Sequence, residues 1–208
     1  MDVIRNFVVL EGADGSGTST QLELLGRRFP GPGLPVFHPT AEPTGGEVGR
    51  LIRLALKGQV PLLPETLARL FAADRGEHLY GRGGVLERTG RGELVVSDRY
   101  TPSSMVYQGL ECGEELPRRL NESFPVPELI LFFDLDPQRA AERIQNRPEK
   151  EIYEYLDFQI KVHDRYLKLL PVFRAQGSRV VEINAARRPE EVAEEVWAAL
   201  EKLPIMEL

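Results

Sequence analysis

Short apolar runs alternate along the chain with stretches whose apolar residues recur at helical spacing. The runs cover residues 7–10, 34–37, 94–96, 129–133 and 180–183. Each predicts a strand, and residues 7–10, too short for a helix, suit one buried on both faces. Between them, Leu22, Leu24 and Leu25 open one helical pattern, and Val48, Leu51, Ile52, Leu54 and Ala55 continue another from Glu47. Residues 62–79 form a longer amphipathic helix with Leu63, Leu67, Leu70 and Phe71 on one face, suited to a core or to an interface between copies. Helices are also predicted from Thr101, where Pro102 sits in the first turn, over 137–146, over 153–170, and at the end through Val192, Val196, Trp197 and Leu200. Strands alternating with helices predict an α/β fold: a five-stranded, mainly parallel sheet flanked by helices. The 208 residues, 42% apolar, show no internal repeat and no linker, so one domain over 1–208 is expected. Pro30-Gly31-Pro32-Gly33 is a turn between the first helix and the second strand.

Sheets of this kind bind ligands outside the carboxyl ends of their strands. The polar residues that follow each run are therefore the candidates: Glu11, Thr40 with Glu42, Asp98 with Arg99, and Asp134 with Asp136. After the first run comes Gly12-Ala13-Asp14-Gly15-Ser16-Gly17-Thr18-Ser19-Thr20, then a helix. Glycines there let backbone N–H groups turn inward around an anion, and the helix N-terminus adds partial positive charge. The loop fits G-x-x-x-x-G-K-[ST] except at one position, where Thr18 replaces the lysine. A P-loop nucleotide-binding fold is expected, with MgATP in the loop and the Ser19 hydroxyl on Mg²⁺. Thr18 offers one neutral hydrogen bond and no charge. Asp14 is a carboxylate beside bound phosphates, which is unfavourable unless it has a specific task.

Net charge and thiol content narrow the classes. A net charge of −6 and a pI near 5.3 argue against a general nucleic-acid binder. The lone Cys112 excludes an internal disulfide framework and a cysteine zinc site, and His38, His78 and His163 lack the spacing of a metal site or triad. No signal-peptide pattern and no apolar run of membrane-spanning length is present, so a cytoplasmic protein without membrane association is expected.

The glycine loop, Glu42-Pro43, the segment from Phe71 to Arg75, Asp98-Arg99-Tyr100 and Tyr107-Gln108-Gly109 occur in one order and spacing. Together they make the chain resemble the thymidylate kinase family from about Val3 to Leu200. The wording Glu-Pro-Thr-Gly-Gly and Phe-Ala-Ala-Asp-Arg-Gly-Glu-His resembles archaeal-type members. The resemblance implies transfer of the γ-phosphoryl of MgATP to dTMP, giving dTDP and ADP, in a homodimer formed through the long helices near 63–79. It implies that Phe71 stacks on thymine, that Arg75 and Gln108 meet the base edge, and that Tyr107 lies against the deoxyribose. It implies that Asp14 holds the 3′-hydroxyl, that Arg53 and Arg99 grip the acceptor phosphate, and that Ser103 and Ser104 line the same pocket. Asp98 would act through Mg²⁺ or its waters.

Phosphoryl transfer needs alignment and cations rather than a protein nucleophile. Here the chain departs from the family pattern. Thr18 replaces the loop lysine, Ile152 stands where a lid arginine is expected, and Ala41 replaces a common basic residue. With a short lid over about 143–153, Arg143, Arg147 and Lys150 are the candidates to supply the missing charge, alongside Asp14 and Arg99 as catalytic groups. Two alternatives stay open: a kinase for another nucleoside monophosphate or another donor, and a dTMP-binding pseudokinase with little or no activity.

Overall fold

A computed structural model describes residues 2–29, 31–144, 152–153 and 155–207. The chain runs β1 (Val3–Gly12), α1 (Thr18–Arg28), β2 (Phe37–Ala41), α2 (Glu47–Leu56), α3 (Pro64–Tyr80), α4 (Val85–Gly90) and β3 (Leu94–Asp98). It continues through α5 (Thr101–Cys112), α6 (Glu115–Asn121), β4 (Val126–Asp134), α7 (Pro137–Ile144), α8 (Leu156–Ala175), β5 (Arg179–Asn184) and α9 (Pro189–Leu200). The strands form one sheet in the order β2-β3-β1-β4-β5, every neighbouring pair parallel.

Period-two alternation divides the buried strands between two helical layers. Val8 and Leu10 of β1, with Leu129, Leu131 and Phe133 of β4, pack against Leu25 of α1 and Val196 and Leu200 of α9. Phe7 and Val9 point the other way, into a cluster with Leu79 of α3 and Val95 of β3. Phe132 joins Ile52 of α2, Val106 of α5 and Val162, Tyr166 and Leu170 of α8 on that second face. The carboxyl ends of β1, β2 and β3 therefore open toward one side, between the layers.

Three boundaries differ from the apolar pattern. The second strand lies at Phe37–Ala41 rather than 34–37, because its ladder with β3 starts by pairing Phe37 with Leu94. It is an edge strand, which is why Pro39 is tolerated within it. The helix expected over 137–146 is described to Ile144, and the one expected from 153 starts at Leu156. Leu67 is buried in α3 whereas Leu63, just before it, is exposed, so the predicted apolar face does not bury as a unit. The lid residues Arg147 and Lys150 lie outside the described residues.

Candidate active site

β1 ends in the glycine loop, and α1 begins at Thr18. Gly15 and Gly17 have φ of +86° and +99°, a region that L side chains rarely adopt. At Gly15 a Cβ would also lie 2.5 Å from the Ala140 carbonyl oxygen, so the loop packs directly on α7. Gly17 caps α1 without a side-chain bond, leaving the first backbone N–H groups of the helix for a ligand. Thr18 is buried at the mouth of this loop. Above it stands an exposed cation from α7: a Cβ on Gly17 would be 4.0 Å from Arg143 Nη1, while Arg143 Nη2 donates to the Ala185 carbonyl at 2.9 Å.

β3 delivers Asp98 and Arg99 beside the loop. The Ser19 hydroxyl donates to Asp98 Oδ2 at 2.6 Å, and the buried Asp98 Oδ1 has no hydrogen-bond partner among the described residues. A hydroxyl and a carboxylate with one unsatisfied oxygen are hard donors that fit Mg²⁺, an ion that takes few protein ligands and keeps waters and phosphate oxygens. No cluster of three or more His, Cys, Asp or Glu suited to a metal occurs among the described residues.

Arg99 adopts φ +76°, a left-handed conformation uncommon outside glycine and frequent at functional turns. Its N–H bonds the Leu10 carbonyl, and the Ser97 hydroxyl donates to its carbonyl at 2.8 Å. The guanidinium donates to Asp14 Oδ1 at 2.5 Å, to the Gly12 carbonyl at 3.1 Å and to the Ser103 hydroxyl at 3.2 Å, and lies 5.1 Å from the Tyr107 ring centre. Asp14 is held on its other oxygen by Gln159 Nε2 at 2.8 Å, and Gln159 Oε1 accepts from the Asp14 N–H at 3.0 Å. The carboxylate that seemed misplaced in a phosphate loop is thus fixed between α8 and Arg99.

Asp14, Thr18, Ser19, Asp98, Arg99, Ser103 and Arg143 line one cavity of about 620 Å³, together with Arg53, Phe71, Arg75, Ser104, Tyr107 and Gln108. Arg53 donates to the Pro43 and Thr44 carbonyls, and Thr44 is tied to Asp74 of α3 by its N–H and hydroxyl at 2.7 and 2.6 Å. Arg75 is almost wholly buried: Nε and Nη2 donate to Glu42 Oε2 at 2.9 and 2.6 Å, Nη2 also donates to Ser104 at 3.0 Å, and Nη1 donates to Asn121. Glu42 Oε1 in turn meets His78 Nδ1 at 2.9 Å. Arg187, between β5 and α9, lines the cavity and was not legible in the sequence. Asp134 and Asp136 fall elsewhere, in a shallow depression with Arg139, and Asp134 bonds His163 at 2.7 Å.

Glu11, the last side chain before the loop, is fully buried. Its Oε1 accepts from the Tyr100 N–H at 2.8 Å, and its Oε2 accepts from the Ser103 and Tyr166 hydroxyls at 2.6 and 2.8 Å. Burial outweighs these bonds and the nearby Arg99, pushing the Glu11 carboxyl up from 4.5 to about 7. Burial also pushes the Tyr107 and Tyr166 phenols up, so both stay neutral donors. Gln159 and Tyr166 had one faint signal: they are polar side chains on the face of α8 that buries Val162 and Leu170.

A family model described as thymidylate kinase matches residues 10–196. The chain is 43% identical over 199 residues to a protein of Treponema pallidum, covering 94% of this chain and 95% of the relative. It is 42% identical over 199 residues to one of Pyrobaculum aerophilum, with 95% and 97% covered. It is 40% identical over 201 residues to one of Pyrococcus abyssi, with 92% and 94% covered. Each of the three is named as a thymidylate kinase, provisionally.

Proposed function

We propose that this chain, which belongs to the thymidylate kinase family, transfers the γ-phosphoryl group of MgATP to dTMP, giving dTDP and ADP. The observation that carries the reading is the pairing of Asp14 with Arg99 inside one cavity. It joins the phosphate loop to an aromatic and guanidinium-lined acceptor end.

At the acceptor end, Phe71 offers a face for thymine, with Gln108 and Arg75 at the base edge. Arg75 is preorganised by Glu42 and Asn121, which suits it to fix an orientation rather than to move. Tyr107 lies against the sugar, and Asp14 takes its 3′-hydroxyl. Arg99 and Arg53 hold the acceptor phosphate, where a guanidinium fork matches two oxygens. At the donor end, the loop from Gly12 to Thr20 receives the triphosphate through N–H groups other than those of Asp14 and Ser16, which bond Gln159 and the Ala13 carbonyl. Ser19 and Asp98 would hold Mg²⁺, which on binding supplies positive charge between the phosphates. The reaction needs no protein nucleophile, so the work of the chain is to align the acceptor oxygen and to surround the transferring group with cations.

The loop itself lacks one of those cations. Arg143 stands over Gly17 and takes the part of the lysine. This geometry favours an active enzyme over a binding protein without turnover. Initial rates with a panel of nucleoside monophosphates and MgATP test the assignment. dTMP should lead, and a faster rate with a purine or ribose acceptor would replace dTMP as the substrate.

A further inference from the structure

Beside Arg99, three oxygen atoms form a closed triangle. Ser103 Oγ and Tyr166 OH lie 2.6 and 2.8 Å from Glu11 Oε2, and 2.8 Å from each other. Three such contacts need three hydrogens, one per edge. The two hydroxyls bring two. With Glu11 ionised, both hydrogens point at the carboxylate and the Ser103–Tyr166 edge has none. With Glu11 protonated, the hydrogens run round the ring in one direction and every edge is a hydrogen bond. The free lone pairs of Ser103 and Tyr166 then face Arg99 Nη1, which lies 3.2 Å from the first and 3.5 Å from the second.

We propose that Glu11, Ser103 and Tyr166 share one proton and act as a positioning cluster that sets Arg99 for the acceptor's phosphate. The inference rests on the reading of Arg99 as the acceptor-phosphate residue. Glu11 and Tyr166 are fully buried and do not line the cavity, so they act through Arg99 and Ser103 and touch no substrate. The charged and titratable groups around the triangle are Asp14 from the loop, Asp98, Arg99 and Tyr100 from the exit of β3, and Tyr107 from α5. Among these Arg99 is the cation. With Glu11 neutral, Asp14 is the carboxylate that Arg99 pairs with, and the donors not engaged by Asp14, Gly12 and Ser103 can meet a phosphate. With Glu11 ionised, a second buried anion draws on the same guanidinium and weakens its hold on an incoming dianion.

The test is calorimetric titration of dTMP into the full chain between about pH 6.5 and 8.5. The nucleotide phosphate is mostly dianionic over this range, its second pKa being about 6. Affinity of the unaltered protein should fall about tenfold across the range, whereas E11Q, which keeps a neutral hydrogen-bonding group, should stay level. Parallel curves for the two proteins would overturn the shared proton. A second variant covers misfolding at the buried glutamate: Y166F removes one corner of the triangle, and with it two of the three edges, while the aromatic ring stays in place. It should raise KM for dTMP about tenfold at pH 7 while KM for ATP holds, since a hydrogen bond to a charged group is lost. Equal changes in both KM values would reduce Tyr166 to a packing role. Absence of dTMP binding to the unaltered chain at every pH would overturn the reading of the cavity, and the cluster's task with it.

Discussion

Replacing Arg143 with methionine should strip the donor end of the cation that stands in for the loop lysine. The side chain is exposed and, in the described structure, makes a single hydrogen bond, to the Ala185 carbonyl, so the fold should lose about 1 kcal/mol or less. Its effect on phosphoryl transfer should be larger. Nη1 lies 4.0 Å from the position of a Cβ on Gly17, at the lip of the phosphate loop. At about 4 Å, two unit charges interact by about 1 kcal/mol in water and about 4 kcal/mol at the effective dielectric of a protein surface. Exclusion of water around a bound nucleotide moves the pair toward the larger figure. A loss of roughly 3 kcal/mol, or about 10²-fold in kcat/KM for ATP, is expected, in line with the removal of one preorganised charge contact. The assay is a coupled measurement of ADP release at saturating dTMP, with Thr18→Lys made in both backgrounds. Thr18→Lys should change the parent enzyme less than fivefold and restore at least tenfold of the loss in Arg143→Met (~1.4 kcal/mol). The reasoning is refuted if Arg143→Met keeps the parent kcat/KM, or if Thr18→Lys accelerates the parent about a hundredfold, since the site would then be crippled rather than compensated.

Other expectations follow from single contacts. Phe71→Ala should raise KM for dTMP by about 1–3 kcal/mol equivalent, roughly five- to a hundredfold, with KM for ATP unchanged in steady-state kinetics. Ser19→Ala removes the hydroxyl that bonds Asp98, and a titration of activity against Mg²⁺ should show a several-fold higher metal requirement at constant ATP. Glu11 is a raised carboxyl, so the folded state binds a proton that the unfolded state has released. Its stabilising contribution is full below about pH 4.5 and is lost as pH rises to about 7. The shift corresponds to about 3 kcal/mol at most, so the stability of the parent relative to Glu11→Gln should decline by that order between pH 5 and 8 in urea unfolding. A difference independent of pH would contradict the buried proton.

Much of this architecture was legible in the order of residues. Fully buried parallel strands are unbroken apolar runs, and β1, β3 and β4 stood out on that basis, while β5, an edge strand, showed through Val180, Val181 and Ile183 despite Glu182. β2 was displaced by three residues because it is an edge strand of mixed burial, where Phe37-His38-Pro39-Thr40-Ala41 carries little apolar signal. The loop announced itself through Gly15 and Gly17, whose backbone conformation demands glycine. Asp98 and Arg99 were visible as a charged pair at a strand exit, and their partners Ser19 and Asp14 were already in view. What stayed hidden were partners brought in from far along the chain. Gln159 meets Asp14 across 145 residues, and Tyr166 meets Glu11 across 155; no local pattern encodes such a contact. Arg75 shows a related gap: its type suggested a reach toward a base, and its burial against Glu42, Ser104 and Asn121 emerges only from the packing of α3 on α5 and α6.

The most direct measurement is a product count. Purified chain, dTMP, ATP and Mg²⁺ are incubated together, and the nucleotides are separated and quantified over time. dTDP and ADP should appear in equal amounts and only when all components are present. Binding of dTMP with neither product formed above the protein-free control would contradict the central claim.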